Sequence, residues 1–544
     1  MFFRKVTCRK KGKDYTYVKL IENYREGDKV KQRVIANFGS IENLTPGKVQ
    51  GLISGLARIC GVPQAGPMEA QKTLRYGEVL AIHRVWEILD LDDALEQALP
   101  GPKTGINVPL LLKLMVMSQV IEPQNRQALN DWCKYLYLPG LDEKKIPPHH
   151  YYKALDLIAG AREELEARIF EKLVITIKVN AATSFCLLTT STVEPVPSQD
   201  LNLTSYGRYV LEEAEKNKNV DLLVAITREG VPYAHRILQE LPEAGEFEDM
   251  AGYLRNRYGV NRCIFVSRGR AERNRLSAAL AHGHEYITGR KASFNRDRSL
   301  LKELAPDRTS FEPVGNNLYF KETRSGRVRR LVCLDSQAAG EIIDSLDERL
   351  RTIESEFKKM RETAGSSAKP PFNKSAPVFQ DSYARRFFQW HYDRSNGKFS
   401  YQLDKERVEQ EKELAGLYII ETNASLMSGR EILSSYTEMT SLAESFAEIK
   451  SFLEKPSFLY NQLSLSSNVF VSVLAAALEK VLERIVKDAG IYLNSRQTLE
   501  LMTSIKVAVS LADNKEVKSV TRPELIQEQI LSAMGIGNLQ QTIV

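Results

Sequence analysis

The chain has 544 residues, of which 43% are hydrophobic and 26% are charged. That length suggests about three to five domains, and the composition excludes a wholly disordered chain. The longest strongly apolar run, residues 469–478, is too short to span a bilayer, and the N-terminus lacks the apolar core of a secretory signal. The six cysteines lie far apart with no Cys-x-x-Cys pair, which excludes a typical zinc finger and favours a cytoplasmic protein without a disulfide framework.

Positive charge is concentrated near the N-terminus. Residues 1–60 contain 13 Lys/Arg and 5 Asp/Glu, a net charge of +8, so the other 484 residues carry −2 of the total of +6. A basic module on a near-neutral body predicts a polyanionic partner, most simply nucleic acid. Charge alone fits a solvated hairpin that only aids solubility equally well.

The first predicted element is a β-hairpin within a basic module of residues 1–65. Aromatic and β-branched residues predict strands over 15–24 and 30–38, with a turn at 25–28. The exposed face of this hairpin is expected to carry four basic residues, Lys19, Lys29, Lys31 and Arg33.

A helical domain over residues 74–172 is predicted next, suited to DNA binding or to dimerisation. Helical periodicity is clearest over 108–121 and 151–169. The pattern then changes to strands interleaved with helices, which indicates an α/β core whose first part covers 173–296. The strands of this part are predicted over 173–179, 220–226, 231–238 and 263–266.

Residues 297–412 are predicted to interrupt the core as a separate β-containing lobe. This lobe is expected to hold a strand pair around 318–321 and 327–333, followed by a charged helix over 336–362. The core is predicted to resume over 413–489, with helices over 428–437 and 441–453, and a polar helical tail covers 490–544.

Common catalytic motifs are missing from the chain. It contains no Gly-x-x-x-x-Gly-Lys-Ser/Thr loop, no Gly-x-Ser-x-Gly elbow and no His-Glu-x-x-His. The close histidine pairs, at 149–150 and 282–284, have no third ligand near them in sequence, so surface positions are favoured over a metal site.

Three segments, in order, resemble an insertion-sequence transposase of the DDE type, in the branch with a Tyr-x2-Arg-x3-Glu-x6-Lys signature. Residues 179–185 stand where the family has a Tyr-Asp-x-Thr-Thr-like motif, and residues 264–269 resemble a strand that ends in Asp-Arg-Gly. The signature spacing is kept by Tyr436, Met439, Ala443 and Lys450. The resemblance covers about residues 15–486. It implies an RNase H-like mixed sheet with a helical N-terminal region, a β-containing insertion and a helical C-terminus.

The departures from the family pattern are the most informative feature. The three acids of the family fall at Asn180, Ser267 and Ala443, and the resemblance implies that these three positions cluster at one edge of the mixed sheet. The Arg of the signature falls at Met439, while Tyr436 and Lys450 remain. Sites of this kind hold two divalent cations about 3.5–4 Å apart and need anionic oxygens. The resemblance therefore implies a transposase-derived DNA-binding protein that is no longer an enzyme and has neither a metal nor another cofactor.

The expected partners follow from the same resemblance. Double-stranded DNA would be contacted by the hairpin and by four further arginines, Arg268, Arg270, Arg385 and Arg386. A homodimer is expected, with a possible protein partner at 336–362 or at the C-terminal tail, no membrane contact, and a place in the cytoplasm with the nucleoid. The alternatives are an active transposase that uses relocated acids and a protein-interaction module without DNA.

Overall fold

A computed structural model describes the chain except for nineteen internal gaps and the terminal residue. The gaps are 11–12, 28, 61–69, 100–104, 123–128, 142–145, 181, 194–217, 239–243, 269–283, 294–296, 298–299, 301–309, 316, 326–327, 364–376, 394–397, 450–461 and 513–514, together with the terminal residue 544. The chain forms two compact units. The first is Met1–Thr73 with Ala508–Ser519, and the second is Leu74–Val507 with Val520–Val544.

The first unit begins with an antiparallel three-stranded sheet. Its strands are β1 (Phe2–Lys10), β2 (Lys13–Glu26) and β3 (Lys29–Ser40), in the order β1-β2-β3. Gly27 adopts a φ of +61° at the β2–β3 turn, a conformation that glycine reaches without steric cost. The predicted hairpin is therefore confirmed, and β1 adds a strand that the sequence pattern did not indicate. A 3₁₀ turn (Ile41–Asn43), helix α1 (Pro46–Ile59) and strand β4 (Ala70–Arg75) follow.

The second unit opens with helices, as predicted. They are α2 (Gly77–Ile88), α3 (Leu91–Ala98), α4 (Val108–Ile121), α5 (Leu129–Cys133) and α6 (Pro148–Ile177). Helix α6 continues through the segment 173–177, so the strand predicted at 173–179 is wrong. Buried Leu165, Ile169 and Leu173 recur every four residues, which is the spacing of one helix face. That packing overrides the β-branched composition of the segment.

A ten-stranded mixed sheet forms the centre of the second unit. Its strands are β5 (Thr183–Val193), β6 (Lys218–Thr227), β7 (Pro232–Ile237), β8 (Arg262–Arg268), β9 (Glu285–Lys291), β10 (Glu312–Pro313), β11 (Leu318–Ser325), β12 (Val328–Asp335), β15 (Leu417–Thr422) and β16 (Glu448–Ile449). The order is β10-β11-β12-β15-β9-β8-β5-β6-β7, with β16 beside β5. Strands β5, β8 and β9 are parallel, and helix α7 (Ala244–Tyr258) connects β7 to β8. The predicted α/β class is confirmed.

Residues 297–412 are predicted to form a lobe with its own strand pair. This prediction assigns the strand pair to the wrong part of the protein. Strands β11 and β12 belong to the main sheet, where β12 pairs with β15, because Leu331 and Cys333 are buried in the main core. A second apolar core, around Phe357, is built from later elements. These are α8 (Ser336–Thr363), α9 (Pro377–Gln380), α10 (Ser382–Phe387), α11 (Lys405–Leu414) and the hairpin of β13 (Phe388–Asp393) and β14 (Lys398–Leu403).

The C-terminal part combines helices and strands. A single helix, α12 (Gly429–Ser445), replaces the two predicted helices, and α13 (Gln462–Asp488), α14 (Ser495–Met502) and α15 (Leu525–Ala533) follow it. The tail predicted as helical also contains β17 (Lys506–Ala512) and β18 (Lys515–Val520), which form a sheet in the order β18-β17-β4, and it ends in a 3₁₀ turn (Leu539–Thr542). Within the described residues, none of the helices has the length and apolarity that a bilayer crossing requires.

Candidate functional site

The carboxyl ends of three parallel strands define one edge of the main sheet. Leu188 of β5 is the register partner of Ser267 of β8, and Ser267 is the partner of Thr288 of β9. Ligand sites of open α/β sheets form at this edge. The edge is therefore where a transposase-like site would be expected, and the residues on it decide what chemistry is possible.

Helix α12 packs across this sheet and brings Ala443 near the edge. The helix begins with a capping box formed by Ser428 and Glu431. Near its end, the carbonyl oxygen of Phe446 accepts a hydrogen bond of 2.5 Å from the Ser191 hydroxyl of β5. Ala443 is only 7% exposed within the apolar cluster under the helix.

The side chains of Ser267 and Ala443 lie on opposite faces of the sheet. Val266 and Ile287 belong to the apolar cluster under α12, and strand residues alternate between faces. Ser267 and Thr288 therefore point to the other face, where their hydroxyl oxygens lie 3.0 Å apart. Ser267 is fully buried, so its hydroxyl is a structural group between β8 and β9.

Asn180 lies at the other end of the sheet, so the predicted convergence of Asn180, Ser267 and Ala443 is wrong. Asn180 precedes β5, and its backbone N–H donates to both carboxylate oxygens of Glu229 at 3.1 Å. Glu229 is in the β6–β7 turn, beside the amino end of β5, where Ser184 pairs with Thr227. The physical reason is the length of α6, which delays the first core strand to Thr183.

Hydroxyl side chains follow Leu188, the residue of β5 that is the register partner of Ser267. Thr189 and Ser191 are buried, and they lie two and four residues after Leu187, which packs in the apolar cluster under α12. Because alternate strand residues share a face, Thr189 and Ser191 also face α12. The sequence run Thr189–Thr192 at the end of a buried strand is the signal that would have located this position. Thr189, Ser267 and Ala443 are thus three uncharged residues at this edge.

Three carboxylates among the described residues lie near the edge. Asp221 of β6 is 7% exposed on the face away from α12 and accepts a hydrogen bond of 2.7 Å from Thr190. Glu421 of β15 is 8% exposed on the same face, where it is the register partner of Thr288, and the Arg330 guanidinium lies 3.3 Å from its carboxylate. Strands β5, β8 and β9 lie between β6 and β15, so these two carboxylates are far apart in the sheet.

The third carboxylate, Glu444, is exposed on α12, and the Arg268 guanidinium lies 3.5 Å from it. Throughout the described part of the chain, no group of three or more His, Cys, Asp or Glu could hold a metal ion. The described residues at this edge therefore do not fit the two-metal centre of a DDE enzyme.

The remaining signature positions have packing roles where they are described. Met439 is fully buried, and the Tyr436 ring stacks on Tyr418 with centroids 6.1 Å apart. A Cβ at Gly289 would overlap the Tyr436 ring, so glycine makes room for it. Lys450 lies outside the described residues, as does Arg270.

The four basic residues predicted on one face of the hairpin are divided between two faces. Lys19 pairs with Arg4 of β1 and Asn37 of β3, whereas Lys29, Lys31 and Arg33 pair with the even-numbered residues of β2. Lys31 forms an ion pair with Glu26. Arg33 forms one with Glu22 at 2.6 Å and lies 5.5 Å from the Tyr24 ring.

Arg385 and Arg386 are engaged within the second core region. The Arg385 guanidinium donates to the Phe379 carbonyl oxygen at 2.8 Å. Arg386 pairs with Glu411 and lies 5.1 Å from the Phe387 ring. Both side chains therefore hold α10 in place.

Comparison with protein families gives a match over the N-terminal part of the chain. Residues 3–66 match the model of the IS1634 family transposase N-terminal domain. The match supports a protein derived from an insertion-sequence transposase. Comparisons with curated proteins and with solved structures gave no match.

Proposed function

We propose that the chain is a catalytically inactive, transposase-derived protein that binds DNA. The proposal of inactivity rests on three uncharged residues at the edge, Thr189, Ser267 and Ala443. Mg²⁺ binds through carboxylate and other oxygen ligands, and two cations held close together need bridging negative charge. Two hydroxyls on opposite faces and a methyl group supply none.

An active enzyme with relocated acids is the alternative, and its candidates among the described residues are Asp221, Glu421 and Glu444. A two-metal centre would need at least two carboxylates within reach of the same pair of ions. Asp221 of β6 instead holds the Thr190 hydroxyl. Glu421 of β15 is paired with Arg330, and three strands lie between β15 and β6. Glu444 faces Arg268 on the helix side. This separation favours the inactive protein.

DNA binding is proposed for the sheet of the first unit. The family match over residues 3–66 includes this sheet, and residues 1–60 carry a net charge of +8. Exposed Lys and Arg side chains bind phosphates and release counterions, so the binding constant should fall steeply with salt.

The nuclease part of the proposal is tested by incubating the purified protein with supercoiled plasmid in Mg²⁺ or Mn²⁺. We expect no conversion to nicked circles. Metal-dependent nicking that disappears in Asp221→Asn, Glu421→Gln or Glu444→Gln would contradict the proposal and establish relocated acids. Nicking that persists in all three variants at reduced yield after further purification would identify a contaminating nuclease.

The DNA-binding part is tested by a mobility-shift titration with a duplex of random sequence at several salt concentrations. We expect a loss of affinity of about 10³-fold or more between about 50 and 200 mM salt if six or more phosphates are contacted. Absence of any shift at low salt would contradict DNA binding and favour a protein-interaction module.

A further inference from the structure

The two faces of the N-terminal sheet differ in chemistry. One face, here called the amide face, carries Arg4, Lys19, Asn23, Arg25 and Gln32. The opposite face, here called the carboxylate face, carries Glu22, Glu26, Lys29, Lys31 and Arg33. Cross-strand partners share a face, so the assignment follows from the strand register.

Positive charge is compensated on only one of these faces. On the carboxylate face, Lys31 pairs with Glu26 and Arg33 pairs with Glu22. No carboxylate stands among the described strand residues of the amide face. There the Arg4 guanidinium donates to Gln32 at 3.2 Å, and Gln32 donates to Asn23 at 3.0 Å. The amide face therefore combines uncompensated cations with a row of amides.

The distal part of the sheet is a two-stranded ribbon. β1 pairs with β2 only as far as Ile21, so residues 22–26 and 29–33 pair with each other alone. Two strands lie about 4.8 Å apart, and five residues extend about 17 Å. The major groove of B-DNA is about 12 Å wide and admits such a ribbon. Asn23, Arg25 and Gln32 are exposed on the amide side of this ribbon.

We propose that the ribbon formed by residues 22–26 and 29–33 enters the major groove of duplex DNA with its amide face towards the bases. Asn and Gln side chains form paired hydrogen bonds with adenine, and Arg forms them with guanine, so Asn23, Gln32 and Arg25 are suited to base edges. Arg4 and Lys19, on the three-stranded part, then meet the phosphates beside the groove. This proposal rests on the proposed DNA-binding function and adds that the protein is sequence-selective through one face.

Two matched triple variants test which face binds. Arg4→Gln/Lys19→Gln/Arg25→Gln and Lys29→Gln/Lys31→Gln/Arg33→Gln each remove three positive charges from exposed or half-exposed positions of the same sheet. Far-UV circular dichroism and thermal melting check that both variants fold, and mobility-shift titrations at fixed salt then give the affinities. We expect the amide-face triple to lose about tenfold or more in affinity for duplex DNA, and the carboxylate-face triple less than about threefold.

The outcomes separate this proposal from the one it rests on. An equal loss in both triples, or a larger loss in the carboxylate-face triple, would overturn the amide-face proposal while leaving DNA binding intact. No binding by the unaltered protein at low salt would overturn both. If a triple variant fails to fold, the single variants Arg25→Gln and Lys29→Gln, from either side of the turn, give the same comparison.

Base reading is tested without changing charge. Duplexes that the protein prefers are selected from a random pool, and their affinity is compared with that of unselected DNA. We expect Asn23→Ala/Gln32→Ala to reduce this preference by about tenfold or more, with little change in affinity for unselected DNA. A preference that survives the double variant, or a selection that yields no preferred sequence, would overturn base reading by this face.

Discussion

The hydroxyl oxygen of Ser267 lies 3.0 Å from that of Thr288, on the face of the main sheet turned away from the helix that carries Ala443. An acid at position 267 would therefore point away from an acid at position 443. Restoring the family's residues at these two positions would not by itself rebuild a site, because the two carboxylates would be on opposite sides of the β-sheet.

Ala443→Glu is expected to destabilise the protein and to give no nuclease. Ala443 is 7% exposed among apolar residues, so a glutamate there would bury an unpaired charge or remain protonated. We expect a loss of about 2–4 kcal/mol in the free energy of unfolding, measured in urea. Ser441→Glu, on the exposed side of the same helix, is the control and should change stability by less than about 0.5 kcal/mol. Equal effects would show that Ala443 is not packed as described.

The sequence was most informative where periodicity and packing agree. The β2–β3 hairpin, the helix Val108–Ile121 and the strand Lys218–Thr227 occur close to where the pattern placed them. The strand predicted over residues 173–179 was wrong. The β-branched composition there favours a strand, but burial of every fourth residue along one face keeps residues 173–177 helical. That single error moved the first motif to Asn180, at the wrong end of β5.

The pairing of distant strands could not be predicted from local pattern. β11 and β12 look like an independent hairpin in sequence, but their membership in the main sheet depends on pairing with β15 far along the chain. The face assigned to each basic residue of the N-terminal hairpin likewise depended on register and bulges, because a shift of one residue reverses the two faces.

Arg329→Met is expected to be strongly destabilising. The Arg329 guanidinium forms two hydrogen bonds of 2.8 Å with Glu322 and also donates to the carbonyl oxygens of Ala424 and Met427 at 2.6 Å. Arg324 contacts the same carboxylate at 3.1 Å, but its side chain is 69% exposed, against 7% for Arg329. We expect a cost of about 3–5 kcal/mol for Arg329→Met and at most about 1 kcal/mol for Arg324→Met in denaturant unfolding. Similar costs would contradict the role of burial.

The stability of the protein is expected to depend on the protonation of Glu479. The pKa of this carboxyl is raised from the ordinary value of 4.5 to about 7. Burial is the main cause; the neighbouring Glu483 acts in the same direction, and Lys480 opposes the shift. Between pH 4.5 and about pH 7, the folded state therefore keeps a proton on Glu479 that the unfolded state releases. This contribution to stability is largest below pH 4.5 and is lost as pH rises through about 7.

Glu479→Gln removes that titration. We expect the variant to be more stable than the unaltered protein at pH 8, by at most about 3 kcal/mol, with the difference shrinking towards pH 4.5. Thermal unfolding across this pH range measures it. Glu500→Gln, whose side chain is 66% exposed before substitution, should leave the pH dependence unchanged. A difference that grows on acidification would contradict the assigned direction of the pKa shift.

Thiol reactivity is expected to divide five of the six cysteines by their environment. Cys8 and Cys60 are exposed, while Cys186 and Cys333 are buried. Burial raises the pKa of Cys133 to about 12 and also raises the pKa of Cys186 and of Cys333. Because the thiolate is the reactive form, an aromatic disulfide reagent at pH 8 should modify Cys8 and Cys60 first, and Cys133, Cys186 and Cys333 only after unfolding in denaturant. The variant Cys8→Ser/Cys60→Ser should lose the fast phase and keep the slow one. A fast phase that remains in this variant would show that one of the other four cysteines is accessible in the folded protein and would contradict this division.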